Sequence, residues 1–300
     1  MAIIPQMSLF TWKEIEILGD LDRLRLVLDY MPDEAFMQNL EKKRGKGRND
    51  YPVRAMWNSI LAGIVFQHES IEKLRRELSR NGQLREMCGF EGQVPTSYAY
   101  TRFLKSLIRD EEMMDKMFET LVEQLLERLP DFGKRLAIDS KAISSFSKHP
   151  NKHETKDGRR RDLDANHSQK VYSGVTKEGN PWQKVVKWFG YKLHLVVDAT
   201  YELPVTFKVT KASESDITEG HKLLEQMEEK QPKLLKTAET MAGDRGYDDT
   251  KLITKLWDTY KIKPIIDIRN MWKDPDKTRL LPGKENVVYN YKRNRILRMP

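Results

Sequence analysis

The sequence predicts an all-α domain followed by a mixed α/β (α+β) domain whose sheet is covered by helices. Three observations predict this. Apolar residues recur at helical spacing from Val53 to about Leu129, whereas short β-branched runs alternate with amphipathic segments after Pro130. A length of 300 residues suits one large domain or two of ordinary size, at about 150 residues each. With 39% hydrophobic and 9% aromatic residues the chain can pack a core, which excludes collagen-like, mucin-like and fully disordered chains.

Residues 1–50 read as an N-terminal arm. PQMSLFTWKEIEIL begins with Pro5 and a Ser8 cap, and LDRLRLVLDYM has helical spacing. The arm ends in EKKRGKGRNDYP, where Lys42, Lys43, Arg44, Lys46 and Arg48 surround Gly45 and Gly47, a basic loop open between solvated linker and phosphate contact. Residues 51–129 form the helical domain. AMWNSILAGIVFQH carries Met56, Ile60, Leu61, Ile64 and Val65 as a wide apolar stripe, and Ser70 caps SIEKLRRELSR, which Asn81-Gly82 stops. Thr96 or Ser97 caps the next helix, and Met114, Met117, Phe118, Leu121, Leu125 and Leu129 line one side of the last. Such compact helical units often bind DNA, although periodicity alone does not show it.

Residues 130–300 form the second domain. KRLAIDSKAI is a buried strand with an acid at its end. The polar stretch from about Ser144 to Trp182 lacks apolar periodicity and is basic at Arg159, Arg160 and Arg161. WFGYKLHLVVDAT and ELPVTFKVTKAS then make a hairpin that turns near Tyr201-Glu202. ESDITEGHKLLEQMEEK is an amphipathic helix, TMAGDRGYDD a strand ending in an acid, TKLITKLWDTYK a helix and KPIIDI a strand. The last thirty or so residues hold one strand-like piece, NVVYNY, and a basic end at 292–298.

The 53 basic and 45 acidic residues give a net charge of +8, a mild pointer to a polyanionic partner. No run approaches the roughly 18 uncharged apolar residues of a membrane helix, and the N-terminus lacks a secretory signal. The single cysteine, Cys88, lies in apolar surroundings and reads as a buried structural thiol. The chain therefore reads as cytoplasmic.

Asp139 and Asp244 each follow an apolar strand core, so two carboxylates 105 residues apart (244 − 139) can converge at neighbouring strand ends. Such a pair suits Mg²⁺, a hard ion that keeps waters and substrate phosphate oxygens as its other ligands. Strand-terminal aspartates also commonly make turns or cap helices, and spacing alone leaves both readings open.

The motifs LAIDSKAI, WFGYKLHLVVDA and GDRGYDDTKLI, together with the helical stretch YPVRAMWNSILAGIVFQHESIEKLRREL, resemble a bacterial insertion-sequence transposase of the DDE class. The branch is the one whose third acid sits in a Tyr-Arg-Glu-Lys signature. This resemblance implies an RNase H-like catalytic domain, Mg²⁺ or Mn²⁺ dependence, and Asp139 and Asp244 as the first two catalytic acids and metal ligands. It implies double-stranded DNA as partner, both as terminal inverted repeats and as target, a homodimer across two element ends, and a nucleoid-associated location.

The resemblance also implies a third acid, on a helix reading Tyr, two residues, Arg, three residues, Glu, six residues, Lys. None of Asp274, Asp276 or Glu285 has Tyr and Arg at that spacing. The expectation is therefore a transposase truncated or frame-interrupted before its third acid, lacking the C-terminal helix of the fold. The alternative is a catalytically dead DNA-binding remnant.

Other residues are separate candidates. Lys192 and His194 share one face of the hairpin strand, either against DNA phosphate or solvated. Arg245 balances Asp244 or holds a phosphate, while Gly246 and Tyr247 shape the turn. Arg159, Arg160 and Arg161, like Lys42, Lys43 and Arg44, are candidate phosphate contacts. Asp198 reads as a turn acid and Asp162 and Asp164 as loop contacts, and His149, His153 and His167 are too irregularly spaced for zinc. Trp182 and Trp188 either pack in the core or stack on a base.

Overall fold

The computed structural model describes residues 20–45, 50–147, 162, 164–268, 278–280, 287–290 and 295–298. The chain divides into two compact units, Met1–Leu121 and Val122–Pro300. The division falls inside a helix, ahead of the boundary near Leu129 expected from sequence.

The first unit is helical: α1 (Leu21–Tyr30), α2 (Glu34–Arg44), α3 (Val53–Val65), α4 (Ile71–Arg80), α5 (Gly82–Cys88), α6 (Ser97–Arg109) and the start of α7 (Glu111–Arg128). Polar side chains start three of these helices by accepting backbone N–H groups that have no partner within the helix. Ser70 accepts from Lys73 at 3.3 Å, Asn81 from Leu84 at 3.0 Å and Thr96 from Ala99 at 3.2 Å. Asn81 thus ends α4 and begins α5.

Residues 21–44 are not an arm outside this core. Leu21, Leu24, Phe36, Met37 and Leu40 are buried in the same cluster as Met56, Trp57, Leu61 and Leu78. The link is polar as well. Buried Asp33 accepts from Trp57 Nε1 at 2.6 Å and pairs with Arg54, so its charge is compensated. Cys88 is fully buried and burial pushes its thiol up to about 12, as a structural thiol requires. Ile64, expected in the apolar stripe of α3, is 69% exposed.

The second unit holds a six-stranded sheet built from β1 (Arg135–Ser144), β2 (Asn166–Val175), β3 (Pro181–Asp198), β4 (Leu203–Lys211), β5 (Thr240–Gly243) and β6 (Lys263–Ile266). β1 runs antiparallel to β3, and β3 antiparallel to β4; β1, β5 and β6 are parallel neighbours. Across these five the order is β4-β3-β1-β5-β6. The parallel strands need crossovers. α8 (Asp216–Lys230) and the short α9 (Pro232–Thr237) supply the one before β5. α10 (Thr250–Thr254), continued by a π turn over Lys255–Thr259, supplies the one before β6.

α8 packs on β4, β3 and β1 through Leu223, Leu224 and Met227, all fully buried. Each such side chain contributes about 1.5–3 kcal/mol of burial. The β3–β4 turn is held by Asp198, which accepts from the backbone N–H of Gly133 at 2.8 Å, Thr200 at 2.9 Å and Tyr201 at 2.7 Å. β7 (Thr278–Leu280), β8 (Val287–Asn290) and β9 (Arg295–Arg298) form a separate three-stranded antiparallel sheet.

The stretch expected to be irregular up to Trp182 contains β2, which pairs with the first half of β3 from Asn166↔Gly190 to Val175↔Pro181. β3 therefore begins earlier than its apolar pattern suggests.

Candidate active site

Asp139 and Asp244 arrive on adjacent strands. The parallel β1–β5 ladder pairs Ile138 with Gly243; Asp139 is the next residue within β1, which runs on to Ser144 and so does not end at the acid as expected, and Asp244 is the first residue after β5. Parallel neighbours lie about 4.8 Å apart, so the backbone positions that carry these two exposed aspartates are neighbours. Asp139 Oδ1 accepts from the Ser140 N–H at 2.7 Å, and Asp244 Oδ1 from the Gly246 N–H at 2.7 Å. The second contact caps the short 3₁₀ turn Arg245–Tyr247.

Two neighbouring aspartates would attract a divalent cation. Among the described residues no three His, Cys, Asp or Glu side chains lie close enough to hold a metal ion together. One or two carboxylates completed by water and phosphate oxygens is a coordination that Mg²⁺ accepts, so the pair fits such an ion.

Gly246 sets the position of Asp244. A Cβ added there would lie 2.6 Å from Asp244 Oδ1, so any larger residue must push the carboxylate aside. We expect Gly246→Ala to leave thermal stability nearly unchanged, because a flexible carboxylate end yields. We expect it to weaken divalent-ion binding about tenfold, the low end of what disturbing a partner that orients a metal ligand costs. A Mn²⁺ titration of the variant checks this.

Tyr247 anchors the same turn from inside. Its ring is 1% exposed and fits where Gly220 of α8 and Gly243 carry no side chain; a Cβ at either would meet the ring at 3.2 and 3.5 Å. Burial pushes its phenol far up, and the charges of Asp216, Asp139 and Asp244 add to the shift. Asp216, the first residue of α8, thus borders this acidic corner. The sequence marks Tyr247 only as a turn residue.

The expected cationic face is largely spent within the protein. His194 is fully buried and not at a solvated surface: its Nε2 is 2.9 Å from Thr210 Oγ1 and its Nδ1 3.6 Å from Asp216 Oδ1. Burial lowers its pKa more than Asp216 raises it. Lys192 donates to the Glu214 carbonyl at 2.8 Å and to Asp216 at 3.1 Å. Both residues hold the start of α8, because the N-terminus of that helix covers the face they share.

Arg245 Nε lies 3.7 Å from Asp267 Oδ2, and its side chain is 48% exposed. Asp267 follows β6 as Asp244 follows β5, since Gly243 pairs with Ile266. The string PIID carries the same strand-then-acid signal as LAID, and sequence reasoning passed over it.

Lys42, Lys43 and Arg44 are not in a loop: they form the last turn of α2, where cations complement the helix dipole, and Gly45 follows at φ +66°. Lys43 pairs with the buried Asp110. Lys46, Arg48, His149, His153, Arg159, Arg160, Arg161, Asp274, Asp276 and Glu285 lie outside the described residues. Asp162 is described: burial raises its carboxyl, but hydrogen bonds from Ser145, Tyr191 and Ala165 outweigh this and hold it below the usual range. Trp188 is half-buried, its Nε1 donating to the Tyr191 carbonyl at 3.1 Å, whereas Trp182 is 44% exposed.

A family model described as Transposase DDE domain matches residues 130–298, more than half of the chain. A second, described as Transposase domain (DUF772), matches residues 14–106. No curated protein and no solved structure matches the chain.

Proposed function

This chain belongs to the DDE transposase family, and from that premise we propose that it binds the ends of a mobile DNA element and cleaves them at a divalent-metal site held by Asp139 and Asp244. The observation that carries the reading is the Ile138↔Gly243 register, which puts both acids one step further on neighbouring strands. The strand order β4-β3-β1-β5-β6, with three antiparallel members and two parallel additions, supports an RNase H-like catalytic domain. Transposase activity needs no membrane segment, and no helix among the described residues is long and apolar enough to cross one.

In this reading Asp139 and Asp244 bind Mg²⁺ or Mn²⁺, and Gly246 and Tyr247 hold Asp244 in place. A divalent ion held by Asp139 and Asp244 would supply Lewis-acid activation of the attacking oxygen and charge stabilisation at the leaving one. In the same reading Arg245, whose side chain is half exposed, meets a phosphate of the same strand. The helical unit engages element-end DNA, basic residues position its phosphates, and two protomers pair across two ends, in the nucleoid of the cytoplasm.

A specific observation favours a second reading, DNA binding without cleavage. No Tyr-x2-Arg-x3-Glu-x6-Lys string occurs in these 300 residues. Incubating the protein with labelled element ends and Mg²⁺ separates the two. Cleavage and strand transfer that vanish in Asp139→Ala and Asp244→Ala support the enzyme, and unchanged cleavage in those variants overturns it. Binding of the ends with no cleavage by the unaltered chain supports the second reading.

A further inference from the structure

Beyond Gly190 the sheet continues as a two-stranded ribbon made of β2 and the first half of β3. Pro181–Lys187 are all exposed, as are Gln169, Lys170, Val171 and Tyr172 on the facing strand. Isolated two-stranded ribbons are marginal in water, so one with apolar side chains at the surface gains stability from whatever covers it.

The register shows what one face offers. Lys170 pairs with Val186, Tyr172 with Lys184 and Gly174 with Trp182, so these six share a face. The Trp182 ring lies against Gly174, where a Cβ would meet it at 2.7 Å, and so spreads flat across the ribbon with 44% of its surface open. Lys170 Nζ sits 5.7 Å from the centre of the Tyr172 ring. The face therefore alternates ammonium groups with flat aromatic surface.

Charge decides the occupant. Residues 166–190 contain Lys170, Lys177, Lys184 and Lys187 against Glu178 alone, so two copies of this ribbon would repel each other while a polyanion is attracted. The major groove of duplex DNA is about 12 Å wide and admits a two-stranded β-ribbon. A ribbon of ten-residue strands is about 33 Å long, close to one turn of duplex.

We propose that this ribbon is a duplex-DNA docking surface, set in the major groove with Lys170 and Lys184 reaching phosphates beside the Tyr172 and Trp182 rings. The inference rests on the transposase reading for its partner but not on the metal site. The paired strands present the face already formed, so docking requires no refolding. Each lysine that neutralises a phosphate releases counterions and adds about 0.9 to the slope of log affinity against log salt.

The test is fluorescence anisotropy of a short labelled duplex titrated with the full chain over a series of salt concentrations. Wild type, Asp139→Ala, the double variant Lys170→Gln/Lys184→Gln, its Lys170→Arg/Lys184→Arg counterpart and Trp182→Ala are compared. The Gln variant is expected to lose about 1.8 from the salt slope with an unchanged melting temperature. The Arg variant is expected to keep the slope, and Trp182→Ala to bind about tenfold more weakly at every salt concentration. A slope in the Gln variant equal to wild type overturns the inference while leaving the DNA-binding reading intact. No binding by wild type removes that reading and the inference with it. Self-association in sedimentation without DNA, abolished by Trp182→Ala, would make the ribbon a contact between copies and also overturn the inference.

Discussion

Gly190→Ala is expected to unfold the sheet unit or to lower its stability by about 4 kcal/mol. Gly190 has φ +153°, a region that side-chain-bearing residues avoid at a cost of about 1–3 kcal/mol. A Cβ there would lie 2.1 Å from the Ile143 carbonyl oxygen and 2.6 Å from the Ser145 N–H nitrogen. Both are backbone atoms, so the clash cannot be relieved by a rotamer change and adds about 1–3 kcal/mol of overpacking. Gly190 also pairs with Ser144 of β1 and Asn166 of β2, so any shift disturbs both ladders at once. Thermal unfolding followed by circular dichroism checks it, and a melting temperature within a degree or two of wild type would contradict the placement of these strands.

Asp139→Ala and Asp244→Ala are each expected to reduce Mg²⁺-dependent cleavage of element ends at least a thousandfold, while duplex binding changes little. Both side chains are exposed and neither is packed in the core, so the variants should fold. A thousandfold loss corresponds to about 4 kcal/mol of transition-state stabilisation, within what removal of a metal ligand accounts for. Cleavage assays at saturating Mg²⁺, with binding measured on the same preparations, check this. Equal losses of binding and cleavage would assign the two acids to folding or docking instead of chemistry.

The two acids were legible because LAID and MAGD each place a carboxylate one residue beyond an apolar run, and the parallel ladder keeps them level; only Asp244 ends its strand, because β1 continues past Asp139 to Ser144 through its pairing with β3. Asp267 gives the same signal in PIID, one residue beyond the Ile266 that pairs with Gly243. β2 was not legible: with both faces of its ribbon toward solvent, no side of the strand needs to be apolar, and the alternation that marks a half-buried strand never arises. The Lys192–His194 face was read correctly as one face, but which side of a sheet a helix covers is a tertiary fact. Here α8 covers it, burying His194 and bringing Asp216 to it. Tyr247 depends on room left by Gly220, 27 residues earlier (247 − 220), which no local pattern carries. Lys42, Lys43 and Arg44 looked like a loop because the glycines beyond them suggested one, yet the helix extends through Arg44.

Mn²⁺ binding to the full chain decides whether Asp139 and Asp244 form one divalent-cation site. Titration followed by electron paramagnetic resonance should be run on wild type, Asp139→Asn, Asp244→Asn and the double variant. If the two carboxylates share an ion, each single variant loses about as much affinity as the double variant, because breaking one half of the site removes its cooperation with the other. Losses that simply add, or a single variant that binds Mn²⁺ as wild type does, would contradict a shared site.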